Sequence, residues 1–327
     1  MILSKAPLRM SYVGGGSDIS TFYRDEIGAV LSTAINKYIY VAVNEKFDGK
    51  IRLSYSKTEE VDAISDISHP LVREALKLMS IHGGIEIVSI ADIPSQGSGL
   101  GSSSSFIVAL LNALHAYKNQ YISKEMLAKQ ACSIEIDKCN EPIGKQDQYA
   151  ASYGGLNLIK FHSNENVSVE PIVCAPRLLQ EIEASTLMFY TGRTRSASLI
   201  LEQQKSNMLI PRKKMLVRRM VELAFDLKAE IESGSLGNFG PILDENWHIK
   251  TQLAAGISNP QIEEWYQRGL KAGATGGKLL GAGNGGFMMF YAPQELHHSI
   301  KSALGELQAI DFKFDANGAQ IIFYNPN

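Results

Sequence analysis

The sequence predicts a mixed α+β fold, as one large domain or two medium ones. Strand patterns and helix patterns are interspersed along the chain. One strand-like stretch, IEIVSIAD, leads through a glycine- and serine-rich segment straight into a helical pattern. Near residue 180 a fresh strand begins, followed by a long helical region.

Residues 1–13 alternate as a strand does, and Gly14, Gly15, Gly16, Ser17 and Asp18 follow at once. Three glycines after a strand make a tight turn that brings Asp18 and backbone N–H groups to the strand end. A plain hairpin turn, in which Asp18 bonds only its own neighbourhood, fits the same residues. IYVAVNEKFDGKIRLSY reads as a β-hairpin turning at Phe47-Asp48-Gly49-Lys50. HPLVREALKLMSIHGG reads as a helix stopped by Gly83 and Gly84.

The stretch at 94–105, PSQGSGLGSSSS, is the strongest local signal. Gly97, Gly99 and Gly101 stand at every second position, where they let the backbone approach an anion and take positive φ at little cost. The serines then open a helix whose first N–H groups have no internal partner and sit at the positive end of the helix dipole. That is a phosphate-binding arrangement. Phe106, Leu110, Leu114 and Tyr117 recur at helical spacing, with Ala109 and Ala113 allowing close packing. The alternative, a Gly/Ser linker, fits poorly between a strand and an amphipathic helix. No Gly-Lys pair satisfies the P-loop spacing, and Gly281-Ala282-Gly283-Asn284-Gly285-Gly286 runs into the strand-like FMMFYA rather than opening a helix. His-Arg-Asp and Asp-Phe-Gly are both absent.

KEMLAKQACSIEIDKCN forms a helix with Leu127, Ala131 and Ile134 on one face and Glu135 beside that stripe. Glu135 is either a site carboxylate or the partner of Lys138 in a surface ion pair. Pro142 and Gly144 then break the helix and put Asp147 at a new helix start, as a cap or as chemistry. Beyond the strand TLMFYTG lie Arg193 and Arg195. Leu216, Met220, Leu223, Leu227 and Ile231 mark a long helix ending at Gly234, whose cluster RKKMLVRR reads as a solvated face. Pro241 and Pro260 mark first turns of two more helices, with Asn259 as a cap for the second. Leu296, Ile300, Leu304 and Leu307 predict a last helix before two terminal strands.

Composition narrows the partners. At 327 residues, 45% hydrophobic and 20% charged, the chain is of globular type and can bury a large core. A net charge of −2 provides no global field for nucleic acid, so any anion is bound locally. Cys132, Cys139 and Cys174 have no metal-like spacing and fit a reducing compartment. The N-terminus lacks a signal-peptide pattern, and no apolar run approaches the ~18 residues of a membrane span. The expectation is a cytoplasmic protein with a small-molecule substrate, no nucleic acid and no membrane.

Three motifs in order resemble those of the GHMP small-molecule kinases: Ala6-Pro7-Leu8-Arg9 through Gly15-Gly16-Ser17-Asp18, then 94–104, then Lys278-Leu279-Leu280-Gly281-Ala282-Gly283-Asn284-Gly285-Gly286-Phe287. The resemblance covers nearly the whole chain. It implies an N-terminal, ribosomal protein S5 domain 2-like, ATP-binding domain over 1–180 and a ferredoxin-like C-terminal domain over 181–327, with the active site in the cleft between them. It also implies that Gly97, Ser98, Gly99, Leu100, Gly101, Ser102, Ser103 and Ser104 wrap the phosphates of ATP, and that Ser103 and Glu135 hold Mg²⁺. Asp147 would take the proton of the attacking hydroxyl, with Arg9 beside it. Gly15, Gly16, Ser17, Asp18 and Gly283 would face the substrate. A phosphate on the substrate needs cationic donors, for which Arg193 and Arg195, next to a strand end, are the best local candidates; pairing of one or both with surface carboxylates is the alternative. The phrases PLRMSYVGGGSD, IGKQDQYAASYGG and YTGRTRSAS resemble the branch acting on a heptose 7-phosphate at its anomeric hydroxyl, with fucokinase-type enzymes as nearest rivals and a non-catalytic sugar or nucleotide sensor as the opposing class. Gly-Gly-Gly-Ser-Asp in place of Gly-Glu-His-Thr-Asp argues against galactose. Leu8 replaces a glycine usual in the first motif, and one extra residue separates Gly144 from Asp147. A monomer or a homodimer is expected.

Overall fold

The computed structural model describes residues 1–93, 97–192 and 198–325. Eight strands form the first sheet: β1 (Ile2–Val13), β2 (Gly28–Glu45), β3 (Ile51–Ser54), β4 (Thr58–Val61), β5 (Ile85–Ala91), β6 (Leu156–Phe161), β7 (Val167–Pro171) and, from the far end of the chain, β12 (Gln320–Tyr324). β8 (Thr186–Tyr190), β9 (Gly276–Leu279), β10 (Phe287–Tyr291) and β11 (Gln308–Ala309) make the second, in the order β11-β8-β10-β9. Between strands run α1 (Ser20–Tyr23), α2 (Pro70–Leu78), α3 (Ser102–Tyr117), α4 (Lys124–Cys132), α5 (Gln146–Tyr153), α6 (Pro176–Ala184), α7 (Ser198–Asn207), α8 (Pro211–Glu232), α9 (Phe239–Thr251), α10 (Pro260–Lys271) and α11 (His297–Ala303). A cut at residue 180 separates the two sheets except for β12, which pairs antiparallel with β1 from Ile2↔Tyr324 to Lys5↔Gln320. The first sheet thus closes on both ends of the chain.

The expected hairpin at residues 46–50 is not one. Its Asp-Gly turn forms, but β5 lies between the strands that it joins, antiparallel to β2 and parallel to β3. The reason is Gly84, whose N–H donates to the Gly49 carbonyl at 2.7 Å and whose carbonyl accepts from Lys46 N–H at 2.9 Å, so each arm of the turn bonds the incoming strand. Gly83 and Gly84 belong to this crossing and do not stop α2, which ends at Leu78 with Ser80 at φ 52. The last helix is also shorter than its apolar pattern, since Leu296, Leu304 and Leu307 flank α11.

The helix at 102–117 forms as its periodicity predicts, but it is buried nearly all round, from Ser104 and Ile107 to Leu114. It packs on β1 and β2, and Ser105 Oγ donates to the Pro7 carbonyl at 2.8 Å. That burial fixes the start of α3 against the middle of β1. α8 carries Met220, Leu223, Leu227 and Ile231 inward, and its basic cluster pairs with surface carboxylates, Lys214 with Asp25 and Arg218 with Glu26. Asn259 caps α10 by accepting from Gln261 N–H and Ile262 N–H, as predicted. Among the described residues, no helix is long and apolar enough to cross a membrane.

Candidate active site

The start of α3 is held open by conformation. Gly97, Gly99 and Gly101 have φ of 64°, 76° and 77°, a region that other residues enter only with strain. Two of them are also pinned by contact. A Cβ on Gly99 would lie 2.4 Å from the Leu280 carbonyl, and one on Gly101 3.1 Å from the Asp147 carboxylate. The third motif packs on the second in the same way, since a Cβ on Gly281 would lie 2.4 Å from the Gly99 Cα and one on Gly286 2.3 Å from the Ser98 carbonyl. The 280–286 segment joins two antiparallel strands, so its glycines serve this close approach and not a helix start. Ser98 Oγ and Ser102 Oγ lie 2.8 Å apart and close the loop on itself.

α4 passes into a π turn over Ser133–Lys138. This aims Glu135, fully buried, at the first turn of α3, where its carboxylate accepts from Ser103 Oγ at 2.6 Å and Ser104 Oγ at 2.7 Å. Gln148 Nε2 of α5 donates to the same carboxylate. The surface pair with Lys138 does not form, because the π turn, a feature frequent at functional sites, takes Glu135 off the exposed side. Burial pushes its pKa up to about 7. A buried carboxylate beside two hydroxyls is an all-oxygen set suited to a hard cation that takes one or two protein ligands and keeps water and phosphate for the rest.

Arg9 and Ser11 lie two apart on β1 and project to one face. Arg9 forks onto Asp147, Nε to Oδ1 at 2.8 Å and Nη2 to Oδ2 at 2.9 Å, and its Nη1 donates to the Gly99 carbonyl at 2.6 Å. Ser11 Oγ donates to Gln146 Oε1 at 2.8 Å. Asp147 is therefore no helix cap: it is tied across 138 residues to the first strand. The N-terminus of α5 is held instead by Asp18, whose carboxylate accepts from Gln146 N–H at 3.2 Å and Gly16 N–H at 3.0 Å. A Cβ on Gly144 would lie 1.9 Å from that carboxylate, which explains the glycine in the segment between α4 and α5. Burial, and then the neighbouring Asp147, raise the pKa of Asp18.

These groups line one cleft of about 480 Å³. Its lining comprises Gly97, Ser98, Gly99, Gly101, Ser102, Ser103 and Ser104 of the loop and helix start and, packed beside them, Arg9, Gly15, Gly16, Asp18, Glu135 and Asp147. Three expected site residues do not line it. Ser17 turns inward and bonds the Gly14 and Ala29 carbonyls, Leu100 is fully buried in the core, and Gly283 packs on Ile257. Their neighbours carry the site while they hold the turns in place. Arg193 and Arg195 lie outside the described residues. Lys250 of α9, Gln204 of α7 and Gln146 also line the cleft. Gln146 adjoins Asp147 in the segment after Gly144, whereas Lys250 and Gln204 stand in no glycine motif and no charge pattern, and only the packing of distant helices brings them in.

The family comparisons agree with this architecture. Residues 70–155 match the GHMP kinases N terminal domain and residues 227–307 the GHMP kinases C terminal domain. The chain is 30% identical, over 98% of both chains, to the D-glycero-alpha-D-manno-heptose 7-phosphate kinase of Campylobacter jejuni. Its structure is similar to the crystal structure of a D-glycero-D-manno-heptose 1-phosphate kinase from Bacteriodes thetaiotaomicron, with TM-score 0.79 and 26% identity over 98% of both chains. A Streptococcus pneumoniae phosphomevalonate kinase shares the fold at TM-score 0.79 and 16% identity, over 96% of this chain and 100% of that one. With both halves of the family matched in order around one cleft, the chain belongs to the GHMP kinases, ATP-dependent phosphotransferases, and is a sugar phosphate kinase of the mixed α/β two-domain fold.

Proposed function

We propose that this kinase phosphorylates the anomeric C1 hydroxyl of D-glycero-D-manno-heptose 7-phosphate to give the 1,7-bisphosphate, a precursor for nucleotide-activated heptose. The observation that carries the reading is the fork of Arg9 on Asp147, placed where Arg9 also touches the glycine loop. One residue thus links the acceptor side of the cleft to the phosphate side.

Phosphoryl transfer passes through a loose transition state, and the protein contributes mainly position and charge. Gly97 to Ser104 cradle the nucleotide phosphates with main-chain N–H groups and the α3 dipole. Ser103 and Glu135 fit Mg²⁺ by their oxygen chemistry and are assigned to it. When bound, ATP supplies the phosphoryl group and the metal neutralises its oxygens. Asp147 accepts the proton of the C1 hydroxyl, its two oxygens fixed by the Arg9 fork. Gly15, Gly16 and Asp18 contact the sugar, and Arg193 and Arg195 are assigned to its 7-phosphate. We assign 1–180 and 181–327 as the N- and C-terminal domains, the enzyme as cytoplasmic, and its state as monomer or homodimer.

The test is ADP release from MgATP with heptose 7-phosphate, unphosphorylated heptose and fucose in parallel. The reading expects turnover on the phosphorylated heptose well above the other two. Preference for a neutral sugar would move the enzyme to the fucokinase-like branch, and no ADP release with any acceptor would leave a binding protein.

A further inference from the structure

Above Gly15 two side-chain nitrogens keep unspent donors: among the described residues Gln146 Nε2 has no hydrogen-bond acceptor and Lys250 Nζ has only the Gly281 carbonyl. A Cβ on Gly15 would lie 3.9 Å from Gln146 Nε2 and 4.0 Å from Lys250 Nζ, so the two converge on one small volume over bare backbone. Ser11 fixes the orientation of Gln146 by donating to its Oε1, which leaves Nε2 facing the cleft. Lys250 comes from the last turn of α9. One turn earlier on the same face, Asn246 Oδ1 accepts from Gly14 N–H at 3.1 Å and anchors the helix over the glycine turn.

Lys250 is 5% exposed, and among the described residues its one hydrogen-bond partner is the Gly281 carbonyl. An ammonium carries three donors, so two are unspent in a buried place where an uncompensated charge is disfavoured. Among the described residues no carboxylate pairs with it directly. Asp18 and Asp147 act on it only at longer range, while Arg9 adds like charge. Burial, then Arg9, push its pKa down to about 8, as expected for a cation in want of an anion.

We propose that Lys250 Nζ and Gln146 Nε2 form a subsite for a phosphoryl oxygen over Gly15. Resting on the kinase reading above, this adds a cation from the C-terminal half to the acceptor wall. The oxygen comes from one of two sources, the phosphoryl group in transfer or the phosphate that the sugar already carries. Gln146 adjoins Asp147 in sequence, which keeps the subsite close to the attacking hydroxyl.

Lys250→Met, Lys250→Arg and Gln146→Leu enzymes are compared with wild type in three measurements: turnover of MgATP with phosphorylated and unphosphorylated heptose, MgADP affinity, and binding of inorganic phosphate in the presence of MgADP. Lys250→Met should lose about tenfold or more in kcat/KM and most of the phosphate binding. MgADP affinity should stay within about twofold of wild type, and Lys250→Arg should recover part of the loss. A kcat loss equal on both sugars assigns the subsite to the group in transfer, whereas a KM increase confined to the phosphorylated sugar assigns it to the acceptor's phosphate. The subsite is overturned if Lys250→Met and Gln146→Leu match wild type throughout, or if their losses follow MgADP affinity and unfolding temperature, as a packing role would make them. Should wild type release no ADP with either sugar, the functional reading falls, and the phosphate titration still decides the subsite: equal affinity in wild type and Lys250→Met overturns it.

Discussion

The wall of the cleft formed by Gly97, Gly99, Gly101 and the first turn of α3 presents mostly main chain and hydroxyls, held by φ values and by glycine-to-backbone contacts. The wall that adjoins it presents side chains brought from far apart: Arg9 of β1, Asp147 and Gln146 of α5, and Lys250 of α9. A main-chain cradle binds what all nucleotides share, phosphate, and tolerates little change in its own residues. A side-chain wall can be re-specified one residue at a time, and this is where members of one kinase family can diverge in acceptor.

Substitutions on the two walls should therefore fail in different ways. Asp147→Asn keeps the shape of the acceptor wall but accepts no proton, so turnover should fall by roughly 10²-fold or more. Calorimetry should find MgADP affinity unchanged. Near wild-type turnover would leave Asp147 as a tether for Arg9 only.

Gly99→Ala attacks the other wall. A methyl at φ 76° and 2.4 Å from the Leu280 carbonyl must displace the loop, at a cost of about 1–3 kcal/mol. MgADP affinity should drop about tenfold, with a lower unfolding temperature. A variant that binds MgADP as wild type does would show that the glycine contacts are packing alone.

Ser103→Ala and Glu135→Gln should each raise the Mg²⁺ needed for half-maximal rate by a few-fold, and the double variant should add little to either, since both are assigned to one ion. Metal titrations superimposable on wild type would remove Mg²⁺ from this pair. The smallest effect is expected at the basic cluster of α8. Lys214→Ala with Arg218→Ala removes surface pairs with Asp25 and Glu26 and should leave turnover and nucleotide affinity as they are. A changed nucleotide affinity there would extend the binding surface beyond the cleft.

The same contrast explains what the sequence made legible. The conformation of the glycine loop could be read directly, because alternating glycines before a serine-rich helix start encode positive-φ backbone and a helix N-terminus in local order. Burial of Glu135 could not be read from a 3.6-residue stripe, because a π turn shifts the phase over Ser133–Lys138. Lys250 and Gln204 enter the cleft only through the packing of α9 and α7, and no periodicity records which helix ends will meet. The false hairpin at 46–50 has a similar cause: Asp-Gly specifies the turn locally, but Gly84 decides the strand order from 35 residues beyond Gly49. Ser17, Leu100 and Gly283 show the converse, motif positions whose side chains or backbone hold the turns instead of facing the cleft.

The account is tested most directly by following the ³¹P resonances of MgATP and heptose 7-phosphate in one tube with wild-type enzyme and with Asp147→Asn. It predicts that wild type converts the ATP signals to those of ADP while one new resonance, coupled to the anomeric proton, grows in equal amount and the 7-phosphate signal persists, and that Asp147→Asn does so roughly 10²-fold more slowly or less. ADP accompanied only by free phosphate, or a new phosphate ester at any carbon other than C1, would contradict it.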